Sequence, residues 1–227
     1  MRSGLELREI GARQFLADLD ALTEIYQAAM DPPAEQLPGR SSIMERHAGY
    51  GSFRAVVAAQ PGHGPAAQPS HDPAAQPSHD PAAQPSHDPA AWRRGNAGAK
   101  PAPTTRLVGF AYGFHGAPGQ WWHDLVHEVV ASKHGVPAAD EWLGDSFEIA
   151  EVHVHPRHQG RGAGRAMMLR LTAGRPERTA VLSTMDADSR ARRLYRGLGF
   201  DDLVAGFIFP GTDLPYAVMG AALPLQN

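Results

Sequence analysis

The sequence predicts a mixed α/β domain built around one unit: strand, Gly-rich turn, helix, strand, helix. Three observations predict it. Residues 147–155 (FEIAEVHVH) alternate and are rich in β-branched residues, the pattern of a strand. A turn with three glycines, HQGRGAG, follows Pro156 and leads into a periodic apolar run at 164–173, which Gly174 and Pro176 stop. A second strand at 179–184 and a second helix at 188–198 complete the unit. Gly199 stands where a left-handed residue would close that helix.

The flanking segments fall into order around this unit. Residues 5–10 alternate and suit an edge strand, and 15–30 place Leu16, Leu19, Leu22, Ile25 and Tyr26 at helical spacing. Strands are predicted at 52–59 (SFRAVVAA) and 106–114 (RLVGFAYGF). Residues 121–133 carry Trp122, Leu125, Val126, Val129 and Val130 on one helical face. Residues 203–209 and 215–222 close the chain as an antiparallel pair.

One segment belongs to no core. Residues 66–89 are three copies of AAQPSHDP, beginning at Ala66, Ala74 and Ala82. Pro in every copy blocks both helix and ladder propagation, so 61–104 is expected to be a disordered insertion within a single domain, 1–227. His71, His79 and His87, each followed by Asp, are metal-ligand types. Nothing in the repeat fixes their geometry, so no metal is expected there.

Composition narrows the function classes. With 227 residues, 42% of them hydrophobic, the chain can bury one real core. The absence of Cys excludes disulfides, thiolate metal sites and a Cys nucleophile. No apolar run approaches the length of a membrane span, and the first fifteen residues lack an apolar signal region. A cytoplasmic protein without a membrane partner is therefore expected. The net charge of −3 hides an asymmetry: residues 157–196 hold ten Arg against Glu177, Asp186 and Asp188, a balance of +7. A basic segment around a Gly-rich turn suits a compact polyanion. It matches no common nucleic-acid motif, so no nucleic acid is expected as partner.

The turn explains that charge. Gly160, Gly162 and Gly164 carry no Cβ, so successive backbone N–H groups are free to converge on one cavity. A helix starting there adds its unsatisfied N–H groups and the positive end of its dipole, which together suit a pyrophosphate. Arg157, Arg161 and Arg165 are placed to add charge-assisted contacts. The plainer alternative is a turn kept for tight packing. Other phosphate loops fit less well, since no Gly-Lys-Ser/Thr triplet occurs. A dinucleotide fingerprint from Gly160 would need a small residue where Arg165 stands.

Gln159-Gly160-Arg161-Gly162-Ala163-Gly164, after a strand ending Val154-His155-Pro156, resembles the acetyl-CoA signature of the GNAT N-acetyltransferases. Ala191-Arg192-Arg193-Leu194-Tyr195, followed by Gly199-Phe200, resembles the second helix motif of that family. The resemblance implies a mostly antiparallel, twisted sheet flanked by helices. It implies acetyl-CoA as acyl donor and transfer to a primary amine by direct attack in a ternary complex. The acceptor would be a small molecule or a peptide, and the protein a monomer or homodimer. It further implies that backbone groups of Val152, His153 and Val154 pair with the pantetheine arm. Gln159, Gly160, Arg161, Gly162, Ala163, Gly164 and Arg165 would surround the pyrophosphate. Tyr195 would protonate the leaving thiolate, and Glu148 would act as general base, with Glu151 as its competitor.

Several points stay open at this level. Regular pleating would put Glu148 on the face of Ala150 and Val152, unless a bulge intervenes. Asp188 stands where the family often has Asn; a carboxylate beside a polyanion is repulsive, so Asp188 is expected to be a helix N-cap. His153, His155 and His158 have no carboxylate fixed beside them by spacing; no metal is expected, though one histidine is a further candidate base. Segment 116–146, with Trp121, Trp122 and Trp142, suits an acceptor lid, a dimer surface or extra core. The rival functions are a CoA-binding protein without transferase activity and, resting on the octapeptides alone, a His-rich metal-binding protein.

The repeats generate a direct test. Residues 66–89 offer nothing apolar larger than Ala, and a longer loop adds only about 0.6 kcal/mol of closure cost per doubling. Deleting them should leave the thermal unfolding midpoint and acetyl-CoA binding unchanged. A deletion variant that fails to fold would make the repeats a structural element.

Overall fold

Seven strands make one sheet among the described residues, which in the computed structural model are 4–33, 37–61 and 105–226. In chain order they are β1 (Glu6–Ile10), β2 (Arg54–Pro61), β3 (Thr105–His115), β4 (Ser146–Val154), β5 (Thr179–Met185), β6 (Asp201–Ile208) and β7 (Pro215–Ala222). Their order in the sheet is β1-β2-β3-β4-β5-β7-β6. The β1–β2, β3–β4, β5–β7 and β6–β7 ladders are antiparallel, and β4–β5 is parallel. This is the mostly antiparallel sheet expected from the sequence. Residues 1–60 and 107–227 group as one unit and 61–106 as a second. The expected insertion, 61–104, lies outside the described residues except for Pro61.

Among the described residues seven α-helices flank the sheet: α1 (Ala12–Ala17), α2 (Leu19–Met30), α3 (Leu37–Ala48), α4 (Trp121–His134), α5 (Val136–Leu143), α6 (Ala163–Thr172) and α7 (Arg190–Arg196). The helix expected over 15–30 is two, because Asp18 leaves the helical region at φ −97, ψ 4. α3 and α5 are additions to the sequence-based reading. α7 is shorter than expected at both ends, and Asp188 is not its cap. Ser189 takes that position, its hydroxyl accepting from the Arg192 N–H at 3.1 Å. The Asp188 carboxylate pairs with Arg193 instead.

Strand alternation assigns the helices to faces. On β5, Ala180 and Leu182 pack in a cluster with Met167, Met168 and Leu198 of the α6–α7 region, whereas Val181 packs with Val126 and Leu143 of α4 and α5. On β2, Val56 and Ala58 join the α6–α7 cluster, whereas Ala55 and Val57 pack with Phe15, Leu22 and Met44 of α1–α3. So α6 and α7 cover one face, and two separate groups, α1–α3 and α4–α5, share the other. Between those groups runs β4, whose buried Glu148 and Glu151 belong to neither apolar cluster. Segment 116–146 therefore contributes core, with Val126, Val130, Ala139 and Leu143 buried on the sheet, and also a cavity wall, with Gln120, Trp121 and Trp122. No helix among the described residues is long and apolar enough to cross a membrane.

The seating of α5 on the sheet is tightest at Gly220 of β7. A Cβ there would lie 2.7 Å from the ring of Trp142 and 3.0 Å from Leu203. Gly220→Ala should therefore destabilise the protein by about 1–3 kcal/mol, as overpacking does, measured by urea unfolding. An unchanged midpoint would mean that α5 yields freely.

Candidate active site

The site begins with a break in β4. In the β3–β4 ladder Tyr112 pairs with Glu151, but the next residue, Gly113, pairs with Ile149, which leaves Ala150 as an extra residue on β4. Such a bulge bends its strand and reverses the alternation beyond it. Phe147 and Ile149 face α6, and after the bulge so do Val152 and Val154. Glu148 is consequently on the opposite face from Val152, which corrects the expectation from regular pleating. Glu148 and Glu151 share a face, three residues apart. The β4–β5 ladder also ends here: its last pair is Glu148↔Val181, although β4 runs on to Val154 and β5 to Met185. Past that point the two strands part, and β4 has backbone groups without a partner strand on its β5 side.

Two cavities lie on either side of the sheet at this parting, lined by successive residues of β4. The first, about 360 Å³, lies on the α6–α7 side and is lined by Val152, Val154, the turn at Gln159–Gly164 and Tyr195. Gly160 and Gly162 both have positive φ, 73° and 82°, and a Cβ at either would meet nothing within 4 Å. Gly162 is the N-cap of α6. The turn is thus an open cradle at a helix N-terminus, with room for an anion where side chains would otherwise project. Gln159 braces it by donating from Nε2 to the Val154 carbonyl at 2.9 Å.

The arginines divide differently from the expectation. Arg165 lines the cleft, but its Nη1 donates to the Gly197 carbonyl at 2.8 Å, tying α6 to the end of α7. Arg157 and Arg161 are exposed and do not line the cleft, whereas Arg190 and Arg193 of α7 do. Sequence reasoning passed over these two. Their signal was their place in the first turn of the helix that carries Tyr195. Tyr195 itself is 7% exposed, and burial, then the negative charge of Glu151, holds its phenol well above the usual range. It is a protonated phenol, not a phenolate.

The second cavity, about 490 Å³, lies on the other face, in the gap between α1–α3 and α4–α5. Glu148 and Glu151 form its floor, with Arg40, Arg46 and His47 of α3 on one side and Trp121 and Trp122 of α4 on the other. Trp122 donates from Nε1 to Ser183 Oγ at 3.2 Å, pinning α4 to β5 beside the parting. His153 points to this face too: its ring bonds to the Glu151 carboxylate and meets Tyr26 edge-on. His153 does not line the first cleft: its backbone, like that of His155, whose N–H donates to the Val108 carbonyl, faces β3, which corrects the expected pantetheine contact and leaves Val152 and Val154 on the open edge.

The two carboxyls differ sharply. Burial alone would raise Glu151, but the hydrogen bond from His153 and the charges of His153, Arg40 and His47 outweigh it and hold the carboxyl below its ordinary value. Arg40 Nη1 donates to it at 2.8 Å. Glu148 has no such company. Its Oε1 is buried without a hydrogen-bond partner, packed where a Cβ on Gly116 would be 2.7 Å away. Burial, reinforced by the charge of Asp124, pushes it up to about 8. His47 moves the other way: burial, with Arg40 and Arg46 set against Glu151, lowers it to about 4.

The raised Glu148 value has a sign in stability. Between 4.5 and about 8 the unfolded chain has lost this proton while the folded chain keeps it. Folding is therefore progressively opposed as pH rises through that window, and the effect levels off above about 8. Glu148→Gln removes the titration. The stability of the variant relative to the parent, from urea unfolding, should grow from pH 5 to pH 8 and then flatten. A difference independent of pH would mean that Glu148 ionises normally.

Comparison with known proteins completes the picture. Residues 118–202 match the acetyltransferase (GNAT) domain family. The chain is 44% identical over 124 residues to a GCN5-like protein acetyltransferase, Rv2170, of Mycobacterium tuberculosis, covering 52% of this chain and 60% of that protein. It is 31% identical over 139 residues to the mycothiol acetyltransferase of Kineococcus radiotolerans, covering 53% of this chain and 43% of that protein. The chain thus spans about half the length of the curated relatives it matches. In fold it resembles Arabidopsis thaliana NAA60 in complex with acetyl-CoA, with a TM-score of 0.53, 16% identity, and 96% of this chain and 98% of that chain covered. Parted strands, glycine cradle and matched segment agree: residues 118–202 are similar to the acetyltransferase (GNAT) domain, and the relatives named are acetyltransferases.

Proposed function

We propose that this protein is an acetyl-CoA-dependent N-acetyltransferase that moves an acetyl group to a primary amine by direct attack in a ternary complex. The observation that carries this reading is the parting of β4 and β5. It sets a glycine-cradled cleft ending at a protonated Tyr195 against a cavity floored by an unpartnered carboxyl, Glu148. Relatives named as acetyltransferases support it.

Bound acetyl-CoA supplies the acetyl thioester. The amides of Gly160 to Gly164 and the α6 N-terminus hold its pyrophosphate, and Arg190 and Arg193 add positive charge at the mouth. The free edge of β4 around Val152 and Val154 orients the pantetheine arm and offers N–H groups to the developing oxyanion. Glu148, ionised, takes the proton of the acceptor ammonium. Its affinity for that proton is closer to an amine's than an ordinary carboxylate's, which suits it to the task. Tyr195 gives a proton to the leaving thiolate. Glu151, already bound by Arg40 and His153, acts as a structural charge and not as the base.

Four variants test these roles. Gly162→Glu should abolish acetyl-CoA binding, seen as loss of the thermal shift that a native-state ligand confers. Gly162→Ala carries the same backbone strain without the charge and should retain binding. Tyr195→Phe should lower kcat by roughly 100-fold, within the range of a positioned acid, with little change in acetyl-CoA affinity. Glu148→Gln should erase the rise of kcat/KM near pH 8. Normal turnover in both variants, followed by thiol release, would leave the cleft in place and overturn the assigned acid and base.

A further inference from the structure

The second cavity is polarised. At its β4 end sits Glu148, with Asp124, not itself a lining residue, within electrostatic reach of it. At its α3 end stand two guanidinium groups, Arg40 and Arg46. Arg40 is committed, donating to Glu151 at 2.8 Å with its guanidinium carbon 4.9 Å from the centre of the Tyr26 ring. Arg46 is exposed, and its guanidinium has no hydrogen-bond or ion-pair partner among the described residues. Between the two ends the walls are aromatic: Tyr50, Phe114, Trp121 and Trp122.

Resting on the acetyl-transfer reading, we infer that the acceptor is a small amphoteric amine: a primary amine on an apolar skeleton that also bears a carboxylate or phosphate, which pairs with Arg46. The amine lies at the Glu148 end, where its proton is needed, and the skeleton lies against the rings. The anion then reaches the one guanidinium of that wall that no described residue neutralises. A carboxylate or phosphate oxygen suits a free guanidinium fork in charge and geometry. A polyamine meets the reverse, because its second ammonium is driven against Arg46, and like charges facing each other select against the wrong partner. His47 does not offset this, since it is neutral at physiological pH. A cavity of about 490 Å³ admits a molecule of amino-acid size with room to orient it.

The test is a matched acceptor series on the full-length protein: phenylalanine, its aminophosphonate analogue, phenylalanine amide, phenethylamine and spermidine. Thiol release gives kcat/KM for the parent and for Arg46→Ala. The anionic pair should exceed the amide and phenethylamine by roughly tenfold, the lower end for a charge-assisted bond at a half-open site. Spermidine should be the poorest, and Arg46→Ala should bring the ratio near one. The carboxylate and phosphonate members tell the two anion types apart. Calorimetry of N-acetylphenylalanine against its amide reads the same preference without turnover. A tenfold preference in binding that Arg46→Ala removes, with no thiol release from any amine, would uphold the charge selection and sink the transferase reading. Equal or better use of the amide or of spermidine, no preference in binding, or a ratio that survives Arg46→Ala would each overturn the inference.

Discussion

The parting of β4 from β5 after the Glu148↔Val181 pair is the constraint on which the rest of the molecule depends. A parallel ladder that continued to Val154 would occupy both edges of β4 and close the route between the two faces of the sheet. The cause is local. Ala150 is an extra residue in the β3–β4 ladder, and a bulge bends the strand that carries it. Antiparallel partners hold the strands on either side, β3 against β4 and β7 along the whole of β5. The bend therefore opens a gap without unravelling the sheet.

The same bulge sorts the chemistry. Because alternation reverses across Ala150, the apolar residues Phe147, Ile149, Val152 and Val154 stay on the α6 face, while Glu148, Glu151 and His153 turn to the other. One strand thus presents an apolar edge to the cleft and carboxyls to the cavity. The helices respect this division. α1–α3 and α4–α5 each bury an apolar cluster on the second face and leave the strip above β4 between them. Trp122 bonded to Ser183 and Arg40 bonded to Glu151 fix the two banks of that gap.

Much of this was legible in the sequence, for identifiable reasons. The strands that form the ladders carry strong alternation or β-branched runs, and the turn at Gln159–Gly164 carries glycines where positive φ is required at Gly160 and Gly162. Two helices escaped. α3 (LPGRSSIMERHA) buries only Met44 and Ala48 and begins with Pro and Gly, so neither its periodicity nor its composition announces a helix. Pro38 is tolerated because it falls in the first turn, where the missing N–H is no loss. α5 is a single short amphipathic stretch after Gly135, hidden within a segment that reads as one helix and a loop. The bulge escaped as well. Glu-Ile-Ala-Glu alternates like any strand, and only its pairing with Tyr112 and Gly113 shows the extra residue. With α3 unseen, Arg40, Arg46 and His47 were invisible as a cavity wall.

Glu148 and Glu151 show why geometry, and not residue type, separates structure from chemistry here. Both are buried glutamates on one face of one strand. Glu151 has Arg40 and His153 in direct contact, so its charge is compensated and its proton lost early. Removing it would leave the half-buried Arg40 and His153 without their shared carboxylate, the signature of a structural ion. Glu148 has an unbonded oxygen, a neighbouring negative charge from Asp124 and no cation in contact, so it is an unrelieved cost to folding whenever it ionises. A merely structural position would be served as well by an apolar residue of similar volume. In the acetyl-transfer proposal, a carboxyl there, beside the parting of β4 and β5, is the group whose protonation changes during turnover. The folded protein tolerates the unfavourable charge because the surrounding clusters, not Glu148, hold the sheet together.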